Sequence, residues 1–281
     1  MTWRIGIRHV TGYSYERPVT SSYNEARITP ISSDRQLALE AAVEVSPRAV
    51  VYRYWDWWGT LVHSFDLQEP HHDLVVTGSS IVETSGPVDP PASPVTWSQL
   101  AGEDVRDRFA ELLAPSRYVP LDGDVKDVAR GLGDDIEPLE ACGAVVATVR
   151  ERLRYERGTT TVSTGAGDAL RIGSGVCQDF THVALALLRA RGIPARYVSG
   201  YLHPSSEAEP GQAVAGQSHA WVEAWVGDWV PFDPTNGGPV GERHVVVGRA
   251  RDYSDLAPLN VVFHGGPAKA LCVTVELTRL A

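Results

Sequence analysis

The chain has 281 residues, 43% of them hydrophobic, which is enough for one large domain or two ordinary ones with apolar cores. A formal net charge of −10, with no long basic run, excludes the clustered positive surface that nucleic acid or an anionic membrane requires. No stretch approaches the roughly 20 apolar residues of a membrane-spanning helix, and the first residues lack the apolar core of a secretory signal. We therefore expect a cytoplasmic protein, and the sequence leaves its oligomeric state open.

The first 85 residues show the alternation that is typical of strands. Apolar and polar residues alternate in the runs RIGIRHVTGYSY, LALEAAVEVSP, VVYRYWDWWGTLVHSFDL and LVVTGSSIVETS. Turn residues separate these runs, so residues 1–85 are predicted to form a β-sandwich-like module of antiparallel strands. Residues 86–98 contain GPVDPPASP, whose composition is typical of a semi-rigid linker. The remaining residues, 99–281, are predicted to form a second domain.

The second domain begins with helical periodicity and ends with strand patterns. Apolar residues recur at helical spacing in EDVRDRFAELLAPS, DGDVKDVARGLG and PLEACGAVVATVRERLRYE. Strands are predicted in RYVSGYL, HAWVEAWV, DWVPFD and ALCVTVELTRL. The predicted fold class is therefore α+β.

The three cysteines, Cys142, Cys177 and Cys272, are odd in number and widely spaced. This pattern fits neither a disulfide framework nor the paired C-x-x-C of a structural zinc site. Cys142 lies among apolar residues of a predicted helix, where a cysteine acts as a small buried hydrophobe. The cysteines therefore indicate a reducing compartment and no structural metal.

Cys177 lies in GVCQDFTH, directly before an amphipathic helical pattern. In the first turn of a helix, unpaired N–H groups and the positive end of the helix dipole favour a thiolate over a thiol. Gly173 and Gly175 carry no side chains, so a substrate backbone can approach the sulfur closely. A buried cysteine in a first turn would share these features, so the nucleophile hypothesis requires a base.

His219 is the histidine best placed to be that base. It is predicted to open the strand HAWVEAWV, after a flexible stretch. The Gly227-Asp228 pair predicts a tight hairpin, which brings Asp233 at the end of DWVPFD beside His219. A neighbouring carboxylate fixes the tautomer of an imidazole and supports its protonated form. Taken alone, Asp233 before Pro234 would be an ordinary turn residue, so the prediction depends on the hairpin.

Three ordered blocks carry a resemblance to a known family. GVCQDFTHVALALLRARGIPARYVSGYL, SHAWVEAWVGDWVPFDPTNG and GRARDYSDLAPLNVVFHGG resemble the bacterial transglutaminase-like proteins, a branch of the papain-like cysteine enzymes. The run from YSYERPV through YRYWDWWGTLVHSFDL to HHDLVVTGSSIV is similar to the β-rich module that precedes the catalytic core in that branch. The resemblance implies a papain-like core with a catalytic triad of Cys177, His219 and Asp233, which agrees with the interpretation of the residues themselves.

This resemblance implies a cysteine peptidase or amidase that acts on a peptide or protein through a thioester, without a cofactor. Water would make the enzyme a hydrolase, whereas an amine acceptor would make it a transglutaminase, and the triad does not distinguish the two. The backbone N–H of Cys177 is expected to stabilise the oxyanion. Tyr155, in RLRYERG, is the candidate for the second donor, although its ring would equally suit packing at a helix end.

Three further residues of the motifs are candidates for supporting roles. Asp179 points away from Cys177 on a helix, which favours a role at the helix N-terminus or behind the nucleophile. Trp221 shares a sheet face with His219 and is expected to wall the cleft or to pack. Asn236 is expected to be a turn residue or to hydrogen-bond the triad. Residues 204–218 are rich in glycine, serine and proline, which is compatible with a mobile lid.

Two alternatives to catalysis remain open at this point. The tryptophan-rich run YWDWWGTLVHSF is compatible with a recognition surface, and the protein would then be an inactive binding module. Cys177, His182 and His219 would be the ligands of a zinc ion in a metalloprotein. The intact triad argues against the first alternative, and the carboxylate already paired with His219 argues against the second.

Overall fold

The alternating runs form strands and the 3.6-residue patterns form helices in the computed structural model, which describes residues 2–133 and 135–281. The strands are β1 (Thr2–Ala26), β2 (Gln36–Ser46), β3 (Tyr52–Trp55), β4 (Leu61–Leu67), β5 (His71–Ser85), β6 (Arg154–Tyr155), β7 (Ser174–Gly175), β8 (Ala195–Leu202), β9 (Ala213–Trp225), β10 (Trp229–Phe232), β11 (His244–Ala250), β12 (Leu259–Gly265) and β13 (Ala268–Arg279). The helices are α1 (Trp97–Leu100), α2 (Glu103–Arg108), α3 (Ala110–Leu113), α4 (Gly123–Arg130), α5 (Pro138–Arg152), α6 (Ala166–Ile172), α7 (Cys177–Ala190) and α8 (Tyr253–Leu256). The α+β class is confirmed.

Strand β1 organises the first part of the fold because it has two partners on each edge. Along one edge it pairs with β5 and then with β4, and along the other it pairs with β13 and then with β12. The register of β1 shifts between Ser14 and Val19, where its partners change. The N-terminal strands therefore share a curled antiparallel sheet with strands from the end of the chain.

The same sheet continues into the part of the fold that contains Cys177, His219 and Asp233. Residues 213–216 of β9 pair with residues 275–278 of β13, and β9 then pairs with β8 and β10. Strand β11 completes this region beside β8, so that the described residues contain one sheet of 11 strands. The predicted boundaries at residues 86–98 stay a prediction, because the sheet joins strands from both sides of them.

Helix α7 is the central helix of the second part. All of its residues from Asp179 to Arg189 are buried, and it packs against β8 and β9 on one side. Helices α4, α5 and α6 cover its other sides. Within the described residues, no helix has both the length and the apolar composition needed to cross a membrane. Burial on all sides fixes the position of the N-terminal end of α7, where Cys177 is located.

The predicted helix in EDVRDRFAELLAPS is interrupted in the structure. Helix α2 ends before Phe109, whose φ and ψ are −117° and 25°, and α3 begins after it. The buried Phe109 ring packs against Trp225 and Trp229, with centroid distances of 4.9 and 5.5 Å. This tertiary packing accompanies the break, which the apolar spacing of the segment does not reveal.

Candidate active site

Cys177 is the first residue of α7, as the sequence predicts, and its side chain is partly exposed. The carboxylate of Asp179 reaches back to the start of the helix, where its Oδ2 accepts hydrogen bonds from the Val176 N–H at 2.8 Å and the Thr160 hydroxyl at 2.7 Å. A Cβ atom on Gly175 would lie 2.5 Å from that Oδ2 atom, so this position requires glycine. Asp179 therefore holds the turn that presents Cys177 and is itself buried.

His219 lies in the middle of β9, opposite Gly200 of β8. The prediction that His219 opens the strand is wrong, because β9 begins six residues earlier at Ala213. The segment AVAGQS has the composition of a loop, but its pairing with β13 makes it a strand. Of the proposed lid, residues 213–218 therefore belong to β9, and residues 204–212 contain neither helix nor strand.

Asp233 follows β10 and meets His219 as the hairpin predicts. Phe232 lies opposite Val222, which places the next residue of the chain near His219. The Nε2 atom of His219 is 2.8 Å from the Oδ2 atom of Asp233. Asn236 donates its side-chain N–H to the same oxygen at 2.8 Å, so this turn residue contacts the pair directly. The Oδ1 atom of Asp233 accepts backbone N–H bonds from Thr235 and Asn236 at 2.9 and 3.1 Å.

His244 is a further member of this cluster, and the sequence analysis did not single it out. The backbone N–H of Gly241 donates to its Nδ1 atom at 3.2 Å, which leaves the proton on Nε2. That Nε2 atom lies 3.4 Å from the Oδ2 atom of Asp233. His244 begins the strand HVVVGRA. A histidine at the start of an apolar run is the signal in the sequence that could have identified it.

The cluster fixes the charges of its members. Burial lowers the pKa of His219, but hydrogen bonds to Asp233 and Cys177, and then the charges of these two residues, outweigh burial and raise it to about 9. Burial raises the pKa of Asp233, and the hydrogen bonds from His219 and His244 outweigh it and hold this pKa well below its usual range. Burial lowers the pKa of His244. At neutral pH the cluster therefore contains an imidazolium, a carboxylate and a neutral imidazole.

Cys177 and His219 line one cleft of about 410 Å³. The other lining residues are Tyr155, Leu202, Pro204, Ala215, Gly216, Gln217, Ser218, Thr235, Asn236 and Arg243. Tyr155 belongs to the short strand β6, where it pairs with Gly175 just before the cysteine, and 46% of its surface is exposed. The cleft thus brings together Tyr155, Asn236 and the candidate nucleophile and base.

Trp221 is not a wall of this cleft. It is fully buried, and its ring lies 6.0 Å from the ring of His219 and 5.2 Å from the ring of His244. Trp221 lies on the same face of the sheet as His219, as the alternation predicts. This face is buried at the position of Trp221. Its function is to pack behind the two imidazoles.

Among the described residues, His219, Asp233 and His244 form a group that is able to hold a metal ion. Ligand atoms of His219, Asp233 and His244 all lie within 4.8 Å of one another. His182, a member of the zinc alternative, is fully buried and stacks on Tyr118 with a centroid distance of 5.1 Å. A metal ion bound to His219 through Nε2 would replace the hydrogen bond between that atom and Asp233. Metal binding is therefore incompatible with the hydrogen-bonded arrangement that the structure shows.

Comparison with known proteins agrees with the resemblance seen in the sequence. Residues 126–234 match the transglutaminase-like superfamily, and residues 5–83 match the bacterial transglutaminase-like N-terminal region. An uncharacterised protein of Mycobacterium leprae is 47% identical over 99% of this chain and 100% of its own length. The protein-glutamine gamma-glutamyltransferase of Pseudomonas aeruginosa is 31% identical over 50% of this chain and 22% of its own length.

The fold has a counterpart among solved structures. A candidate cysteine protease from Cytophaga hutchinsonii superimposes with a TM-score of 0.75 at 22% identity, over 98% of this chain and 92% of the other. This similarity concerns the fold. The two matched regions and the M. leprae relative show that the chain belongs to the transglutaminase-like superfamily.

Proposed function

We propose that the protein is a thiol-dependent enzyme that cleaves amide bonds, with Cys177 as nucleophile, His219 as acid and base, and Asp233 as the residue that orients His219. The observation that carries the proposal is the position of His219, which hydrogen-bonds to Asp233 through Nε2 and lines the same cleft as Cys177. Because Asp233 takes the Nε2 atom, Nδ1 is the ring nitrogen left for Cys177. A peptide or protein is the proposed substrate, and the cytoplasm is the proposed location.

The chemistry follows from these positions. The Cys177 thiolate attacks the carbonyl carbon of the amide, and the backbone N–H at the start of α7 stabilises the oxyanion, together with the Tyr155 hydroxyl as the proposed second donor. His219 gives its proton to the leaving amine, so that the C–N bond breaks and a thioester remains. His219 then takes a proton from water, which attacks the thioester, releases the acid and restores Cys177.

Hydrolysis is the first candidate for the second half of the reaction. Cys177 and Tyr155 are both partly exposed in the cleft, so water has access to the thioester. Transfer to an amine is the second candidate, and it is favoured by the similarity to the gamma-glutamyltransferase of P. aeruginosa. The same thioester serves both reactions, so the acceptor decides between them.

Alkylation by iodoacetamide from pH 5 to 9, followed by intact mass, tests the proposed nucleophile. All proteins carry Cys272→Ser, which removes the exposed cysteine, while Cys142 is buried. We expect rapid single labelling at pH 6, its absence in Cys177→Ala, and labelling at least about tenfold slower in His219→Ala, because the imidazolium supports the thiolate. Equal labelling rates with and without His219 would contradict the proposal.

Mass spectrometry of glutamine-containing peptides then separates the two acceptors. Incubation with and without a primary amine is expected to give a carboxylate product for a hydrolase and an amine adduct for a transglutaminase. A labelled Cys177 that turns over neither peptide bonds nor side-chain amides would favour a binding protein with a reactive thiol.

A further inference from the structure

The lining of the cleft beside Cys177 differs in charge from the rest of this acidic protein. The chain carries a formal net charge of −10, yet none of the residues that line the cleft is an aspartate or a glutamate. Arg243 is the lining residue with a permanent positive charge, whereas the imidazolium of His219 is already paired with the carboxylate of Asp233. The cleft therefore has the charge that suits an anionic group.

Arg243 is held in place through one of its nitrogen atoms. It directly precedes β11, where its backbone C=O accepts the N–H of His203 at 2.9 Å. Its Nη1 atom donates to the backbone C=O groups of His203 and Pro204, both at 3.3 Å. Fixing one nitrogen on the backbone reduces the freedom of a long side chain, so less entropy is lost when the guanidinium binds a ligand.

Among the described residues, the guanidinium of Arg243 has no carboxylate partner, unlike those of two arginines that follow it in the chain. In residues 2–133 and 135–281, no aspartate or glutamate forms a salt bridge with Arg243. On the same strand, Arg249 pairs with Glu223 at 2.9 Å, and Arg251 after it pairs with Asp255 at 3.0 Å. These two arginines outside the cleft thus have carboxylate partners within the protein, whereas the side chain of Arg243 lines the cleft that a substrate would occupy.

We propose that Arg243 is a specificity-determining residue that binds a carboxylate of the substrate, so that the enzyme acts on acidic peptides. This inference rests on the proposed function, because it assumes that the substrate occupies the cleft of Cys177. A planar guanidinium forms paired hydrogen bonds with a carboxylate. The carboxylate belongs either to an acidic side chain or to a chain terminus, and both present the same group to Arg243.

Two pairs of alkylating reagents test the proposal without a known substrate. Iodoacetate is compared with iodoacetamide, and N-iodoacetylglycine with its amide, so that a negative charge is added at two distances from the reacting carbon. The proteins carry Cys272→Ser, alone or with Arg243→Gln, Arg243→Lys or Arg8→Gln. Arg8 lies on β1, away from the cleft, so its replacement controls for the loss of one positive charge.

The measured quantity is the labelling rate of Cys177 with the charged reagent divided by its rate with the neutral reagent of the same pair. We expect Arg243→Gln to lower this ratio about tenfold for at least one pair. Arg243→Lys should keep most of the preference, and Arg8→Gln should keep all of it. Because each ratio is taken within one protein, a change in the reactivity of Cys177 toward both reagents cancels. A ratio that Arg243→Gln leaves unchanged for both pairs would overturn the inference. Slow labelling that does not depend on His219 would instead contradict the proposed function, so the two failures are distinguishable.

Protection of Cys177 from iodoacetamide identifies the source of the carboxylate. The probes are acetyl-Ala-Ala-Ala with a free carboxylate, acetyl-Ala-Glu-Ala amide and the neutral acetyl-Ala-Gln-Ala amide. We expect one of the charged peptides to protect better than the neutral peptide, and this advantage to disappear in Arg243→Gln. Equal protection by all three would overturn the inference.

Discussion

Asp233 receives hydrogen bonds from both sides of the cluster, and His219 is only one of its donors. Its Oδ2 atom is approached by His219, His244 and the side chain of Asn236, while backbone N–H groups hold Oδ1. A carboxylate with this many donors keeps one position and one charge. His219 therefore meets a fixed anion, and the direction of its ring toward Cys177 is fixed as well.

The contribution of His244 can be measured by removing its N–H group while keeping a ring. We expect His244→Phe to slow iodoacetamide labelling of Cys177 at pH 6 by about threefold to tenfold, because a hydrogen bond to a charged group contributes about 1.5 kcal/mol and this one is long. His63→Phe is the matched control, since His63 is also buried but contacts Thr29 outside the cleft. Equal rates in the two variants would show that His244 only fills space.

At the scale of elements, the start of α7 depends on a residue inside the helix. Val176 is a poor N-cap, and the carboxylate of Asp179 accepts its backbone N–H instead. The glycine at position 175 leaves room for that carboxylate. The order Gly-Val-Cys-x-Asp therefore indicates a helix whose N-terminus is capped by a side chain from its own first turn.

Removing this tie should affect both stability and reactivity. We expect Asp179→Ala to lower the free energy of unfolding by about 1 kcal/mol, as for other lost caps, and to slow labelling of Cys177 about tenfold. Asp122→Ala is a matched control, because Asp122 caps α4 through the Val125 N–H at 3.1 Å, outside the cleft. It should lose similar stability in urea unfolding and keep the labelling rate. Wild-type labelling in Asp179→Ala would contradict this account.

The pattern of apolar residues in the sequence predicts which helices and strands form better than it predicts where each one begins and ends. The hairpin signal at Gly227-Asp228 was sufficient to bring Asp233 to His219, because both strands are adjacent in the chain. The early start of β9 depends on β13, which lies more than fifty residues further along, and a local pattern does not contain that information. His244 was missed for the same reason, since its contact with Asp233 arises from the pairing of β11 with β8.

At the scale of the whole molecule, a buried histidine connects the two parts of the sheet. His9 of β1 lies 2.9 Å from the hydroxyl of Tyr201 on β8 through Nδ1, and 3.1 Å from the hydroxyl of Thr11 through Nε2. The Tyr201 hydroxyl donates to the backbone C=O of Ile28 at 3.2 Å, so it accepts the Nδ1–H of a neutral imidazole. Burial lowers the pKa of His9 to about 4.

This shift gives the protein a dependence on acid that one variant can isolate. The unfolded chain binds a proton at His9 near pH 6.5 and the folded chain only near pH 4, so stability falls as the pH falls through that window. We expect the wild type to lose about 3 kcal/mol more than His9→Gln between pH 7 and pH 4, at 1.36 kcal/mol per pKa unit. Urea unfolding at both pH values measures this. Parallel losses would show that other groups carry the dependence.

The pairing of β1 with β13 has a consequence for the order in which the protein is assembled during synthesis. Ile5 lies opposite Arg279, and residues 275–278 of β13 also hold residues 213–216 of β9, of which Ala215 and Gly216 line the cleft. Strand β13 is synthesised after all the other strands described above, and it is the one that completes this wall of the cleft. Contacts between such distant residues form slowly because a long loop must close first. We therefore expect the nascent chain to carry Cys177 without a finished cleft until β13 has been synthesised.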